Sequence, residues 1–108
     1  MWEYRFSTVS SPIGRRHFRA MILICTKQLK DKESSKKIKA LVEKELNEIA
    51  QDPPSKQATD SWACLQVAMY IATKNPVYRD AAKEYERKYQ PKSAFLHSLI
   101  EVVRRFEL

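Results

Sequence analysis

Along the first nine residues apolar and polar side chains alternate. Trp2, Tyr4 and Phe6 fall on one side of an extended chain and Glu3, Arg5 and Ser7 on the other, the period of two that marks a strand or an extended arm. Ser10-Ser11-Pro12 ends that pattern. Ser11 is placed to cap a helix and Pro12 to occupy its first position, where a missing N–H costs nothing. Over residues 12–30 two readings compete. Phe18, Met21, Ile22, Cys25 and Leu29 recur at helical spacing, while the unbroken run Met21-Ile22-Leu23-Ile24-Cys25 would also suit a buried strand paired with residues 2–9. The helix is preferred because Lys27-Gln28-Leu29-Lys30 keeps the 3.6 period. The alternative is an α+β fold with an N-terminal β-hairpin from residues 2–9 and 17–26.

The remaining pattern is helical. Ile38, Leu41, Val42, Leu46 and Ile49 define an amphipathic helix over 34–51, with Lys39–Glu43 and Lys44–Glu48 as i,i+4 pairs on its other side. Asp52-Pro53-Pro54-Ser55-Lys56 stops it, since proline cannot donate the next backbone hydrogen bond and restricts its predecessor. Ser61–Lys74 is apolar nearly all round, with Gln66, Tyr70 and Thr73 as a narrow polar stripe, so this helix belongs at the centre of a bundle. Asn75-Pro76 closes it and opens a helix whose core stripe is Tyr78, Ala81, Ala82, Tyr85 and Tyr89. After Gln90-Pro91, a last helix from 92 to the end carries Phe95, Leu96, Leu99, Val102, Val103 and Phe106. The expected fold is all-α: a single domain over 1–108, with an extended aromatic arm at 1–10 and a compact bundle of four to five short helices at 12–108.

Composition narrows this further. A chain of 108 residues with 44% hydrophobic content can bury one core. One glycine against abundant Ala, Leu, Glu, Lys, Gln and Arg favours helices over tight hairpins. Cys25 and Cys64 lie too far apart for zinc-motif spacing and read as two reduced core thiols. The first residues do not resemble a signal peptide, and the apolar run Ala20–Cys25 is too short to span a bilayer. Integral membrane association is therefore not expected, and the cytoplasm or nucleus, or synthesis there by a virus, is.

Charge matters most once it is located. The net charge is +7, and Arg15–Lys39 holds nine basic residues against Asp31 and Glu33, while residues 40–108 carry ten of each sign. The whole excess sits in one stretch, the distribution that attracts phosphates, anionic lipids or an acidic protein surface. Arg15, Arg16, Arg19, Lys27, Lys30, Lys36, Lys37 and Lys39 are the candidate phosphate contacts, because clustered cations release condensed counterions and bind sequence-tolerantly. Lys36, Lys37 and Lys39 fall near the start of the second helix, against its dipole, which suggests an anion held there. Tyr78-Arg79 and Tyr85-Glu86-Arg87-Lys88-Tyr89 would suit base stacking, but their place on the core stripe favours packing.

Catalytic signatures are missing from the sequence: no GxSxG, no glycine-rich phosphate loop, no HExxH. His17 and His97 fall on separate helices. No enzymatic role, metal or cofactor is expected. The leading expectation is a small basic nucleic-acid-binding protein that contacts phosphates through residues 15–39, with RNA favoured over DNA because no DNA-reading motif is visible. The alternative is a protein–protein interaction module, a regulator or viral accessory factor, that uses the basic face or the arm. Trp2, Tyr4 and Phe6 would then dock on their own domain, exchange between protomers of a homodimer, or enter a partner's groove.

Overall fold

The computed structural model describes residues 12–53, 57–90 and 93–106, and every regular element in it is a helix. These are α1 (Pro12–Gln28), α2 (Lys32–Ile49), α3 (Asp60–Thr73), α4 (Pro76–Tyr89) and α5 (Ala94–Phe106). The expected arm at residues 1–10 lies outside the described residues. Residues 17–26 lie inside α1, so the hairpin alternative loses its second strand. The reason is local: Ala20, Ile22 and Leu23 are buried while Met21 and Cys25 are exposed, a one-sided pattern that a strand buried on both faces would not show.

Four of the helix starts have a side-chain cap. Asp31 Oδ1 accepts from the Ser34 N–H at 3.1 Å, Thr59 Oγ1 from Trp62 at 3.1 Å, and Asn75 Oδ1 from Val77 at 3.1 Å. Ser93 Oγ accepts from the Leu96 N–H at 3.2 Å. Such acceptors satisfy N–H groups that have no partner inside the helix. At the other ends, Lys30, Lys74 and Gln90 adopt left-handed backbone with φ of 58°, 62° and 48°. The Asp31 N–H reaches Thr26 O at 2.9 Å and the Lys30 N–H reaches Lys27 O at 3.1 Å, the paired bonds of a Schellman motif. With one glycine in the chain, side-chain-bearing residues take a conformation that glycine usually fills. Beyond α2, Gln57 Nε2 donates to the carbonyls of Ala50 and Asp52 at the end of that helix.

As its composition implies, α3 is the central element: nine of its residues are buried, and it packs against α1, α2, α4 and α5. Leu23, Leu65, Met69, Leu96 and Val42 are the largest apolar side chains with almost no exposure. The radius of gyration of 13.2 Å matches the roughly 13 Å of a compact chain of about 100 residues.

Two expected stripes are corrected. Of the stripe expected on α1, Ile22 is buried, but Met21 and Cys25 are exposed, as is Leu29 just beyond the helix, and the inward face takes in Arg16, Arg19, Ala20 and Leu23 instead. The pair of core thiols reduces to Cys64 for the same reason. On α4, Ala82 and Tyr85 are buried, but Tyr89 is 51% exposed because it stands at the last turn of the helix.

Candidate nucleic-acid interface

The basic stretch divides into a structural part and a surface part. Arg16 Nε donates to Glu45 Oε2 at 2.8 Å and Arg19 Nη1 to Glu45 Oε1 at 2.6 Å. Glu45 is only 6% exposed, on the face of α2 that turns toward α1 and α3. Arg16 Nη1 also donates to Ser61 Oγ at 3.2 Å, and Ser61 shares a hydrogen bond with the Thr59 cap of α3. One buried carboxylate thus joins three helices through two guanidinium groups. Such bonds are strong individually, and a charge left unpaired in that position is costly. These two arginines are held by the fold through Glu45.

Sequence reasoning missed Glu45 although its register was readable. Ile38, Val42, Glu45 and Ile49 stand at spacings of four, three and four, so the acid occupies an inward position among apolar residues. A lone carboxylate in a core register is a signal that basic partners face it from another element.

Arg15 lies beside this cluster, in a shallow groove that it shares with Arg19, Lys44, Glu45 and Glu48, a surface of mixed sign. Lys37 projects into solvent and meets Glu33 at 3.5 Å, a pair so exposed that its contribution is small.

The lysines behave differently. Lys27 and Lys30 at the end of α1 and Lys32, Lys36 and Lys39 on α2 surround one open cleft of about 400 Å³ at the corner between these helices, with Ala72 of α3 and Thr26 also on its wall. Four of these five were expected from sequence, and Lys32 joins them because α2 begins earlier than the periodicity implied. The Schellman geometry at Lys30 turns the chain sharply enough to bring both groups to one opening. Among the described residues Asp31 is the cleft's one acid. Its carboxylate is committed to the Ser34 N–H and side chain, which hold its pKa below the ordinary range.

That cap revises the idea of an anion at the start of α2. The carboxylate of Asp31 already occupies the helix N-terminus, and Lys36, Lys37 and Lys39 lie beyond the first turn, where the dipole has largely faded.

The tyrosines of α4 form part of the packing. Tyr85 OH donates to Asp60 Oδ1, and Asp60 Oδ2 accepts from the Ser93 N–H at 3.0 Å, so one carboxylate fixes α4 and the start of α5 to α3. Burial and the Asp60 contact push the Tyr85 phenol well above its ordinary pKa. Trp62 meets Tyr85 edge-to-face and Tyr85 packs tilted against Tyr89, with centroids 5.9 and 5.1 Å apart. His17 leans on Phe95 at 5.2 Å, and burial, partly opposed by Asp60, holds its imidazole below the ordinary value. Burial pushes the Cys64 thiol up to about 12.

Trp2, Tyr4 and Phe6 lie outside the described residues. Among the described residues no three His, Cys, Asp or Glu side chains group as a metal site, and no helix is long and apolar enough to cross a membrane. Searches of protein-family models, curated proteins and solved structures find no match to this chain.

Proposed function

We infer that this chain is a non-enzymatic nucleic-acid-binding protein whose phosphate contacts come from the lysines of the α1–α2 corner, with RNA favoured over DNA. The observation that carries the reading is the convergence of Lys27, Lys30, Lys32, Lys36 and Lys39 on one open cleft whose single acid is already engaged as a helix cap. Lysine ammonium groups are mobile point charges that follow a phosphate backbone without reading bases. Arg16 and Arg19 support the site indirectly by locking α1 to α2 through Glu45.

The test is fluorescence anisotropy against single-stranded RNA, double-stranded RNA and duplex DNA at low and near-physiological salt. Binding is expected to weaken steeply with salt, each phosphate contact contributing about 0.7 to 0.9 to the log–log slope. Replacing Lys27, Lys36 and Lys39 by glutamine should flatten the slope and weaken all sequences alike. Salt-independent binding, or an unchanged slope in that variant, would overturn the reading.

One observation favours a second reading. Leu29 is 79% exposed beside the cleft lysine Lys30, and an apolar knob next to cations suits an acidic protein surface more than a phosphate chain. No binding to any nucleic acid at low salt would move the assignment there.

A further inference from the structure

A second opening lies on the far side of the central helix. α4 and α5 both pack on α3, and between them remains a cavity of about 100 Å³. Its inner wall is apolar: Val67 and Tyr70 from α3, Ala82 from α4, Ile100 and Val103 from α5, each under 10% exposed. Its mouth is cationic: Arg79 and Lys83 come from α4 and Arg104 from α5, and among the described residues no carboxylate lines it.

The cations are positioned. The Arg79 guanidinium lies over the Tyr70 ring at 5.6 Å and is held from outside by Asp80 at 3.3 Å. Arg104 spans the gap to Glu86 of α4 at 3.5 Å and meets Glu101 of its own helix at 3.5 Å. Both contacts are long, and Arg104 itself is well exposed, so an arriving carboxylate can compete for its guanidinium. Among the described residues Lys83 has no ion pair, and it faces the same mouth from the opposite helix.

An apolar cavity with cations on its rim selects a molecule with an apolar body and one anionic head. Size narrows the class: an engineered cavity of about 150 Å³ accommodates benzene, so this smaller one takes a short chain or the edge of a single ring, with the rest of the molecule and its head in solvent. Phosphate alone would leave the apolar wall unfilled, and a neutral hydrocarbon would leave Lys83 without a counter-charge. We propose that the cavity between α3, α4 and α5 binds a small carboxylate, a short aliphatic or monocyclic aromatic acid, whose body contacts Val67, Ile100 and Val103 and whose carboxylate meets Lys83 and Arg104. This site is separate from the lysine cleft and does not depend on nucleic-acid binding.

Methyl NMR of the full chain tests it with hexanoate and benzoate as probes, benzyl alcohol as the neutral match and inorganic phosphate as the anion without a body. The expected result is saturable shifts of the Val67, Ile100 and Val103 methyls with either acid and none with phosphate. Lys83→Met is expected to weaken the acids by about tenfold, the scale of a hydrogen bond to a charged group, while leaving benzyl alcohol unchanged. Val67→Phe should abolish binding by filling the wall. Lys83→Met is a surface change, so its result holds even if Val67→Phe fails to fold. Absence of shifts at these methyls, equal affinity for benzyl alcohol, or no effect of Lys83→Met would overturn the proposal.

Discussion

At the scale of single residues, environment separates side chains that the sequence treats alike. Cys25 and Cys64 are both lone thiols on helices, but Cys25 is exposed and Cys64 buried, with its pKa raised to about 12 by desolvation. Because the thiolate is the reactive form, iodoacetamide on the native protein at neutral pH is expected to modify Cys25 and spare Cys64 until denaturant is added; peptide mass spectrometry reads both sites. Equal labelling would place Cys64 outside the core. His17 makes a similar point for stability. Its folded pKa lies below the ordinary 6.5, so between the two values the unfolded chain binds more protons than the native one. The contribution of His17 is therefore complete above about pH 6.5 and is lost as pH falls through that value toward the folded pKa. His17 Nε2 is buried without a hydrogen-bond partner among the described residues, and His17→Phe keeps a ring against Phe95 while removing the titration. Urea midpoints at pH 7.5 and 5.5 are expected to differ less in His17→Phe than in the parent chain; an identical drop would assign the effect to other groups.

At the scale of elements, a polar cluster decides how α1 sits. Rotated by its most apolar side chains, α1 would bury Met21 and Leu29; as folded, it presents Arg16, Arg19, Ala20 and Leu23 to α2 and α3. Glu45 is the cause, since a carboxylate at 6% exposure needs cations and hydrogen-bond donors around it. Removing one member of a buried pair costs about 3–5 kcal/mol. Arg16 and Arg19 retain about a fifth of their side-chain exposure and can turn toward water, so Glu45→Gln is expected to cost about 2–3 kcal/mol in chemical denaturation. Replacing Arg16, Arg19 and Glu45 together by methionine should cost less than the sum of the single changes, because it leaves no charge stranded. Strict additivity would show that the three do not act as a unit.

At the scale of the whole molecule, the charge excess of Arg15–Lys39 is divided between two places, the ion pairs on Glu45 and the lysine cleft. Arg16 and Arg19 are expected to register in stability and the cleft lysines in binding. Substituting Lys27, Lys36 and Lys39 by glutamine should leave the denaturation midpoint within about 0.5 kcal/mol of the parent, as for other surface changes. Substituting Arg16 and Arg19 should lower the midpoint and reduce nucleic-acid affinity only to the extent that the protein unfolds. A loss of affinity in a fully folded Arg16 and Arg19 variant would return these arginines to the interface.

The helical class, the five segments and most of their ends were legible in the chain itself, because Pro12, Asp52-Pro53, Asn75-Pro76 and Gln90-Pro91 act on their own backbone neighbours. The central place of α3 was legible for a related reason: a helix apolar nearly all round has no solvent face to offer. Which face of α1 turns inward was not, since Met21–Cys25 is an unbroken apolar run and periodicity within it does not choose a side. Nor could linear position separate arginines that grip Glu45 from lysines that ring a cleft, as both lie in the same basic stretch. Pairing across α1 and α2 depends on distances between residues 26 and 29 positions apart. Local preference is written residue by residue, whereas the partner of a charge is set only when the helices pack.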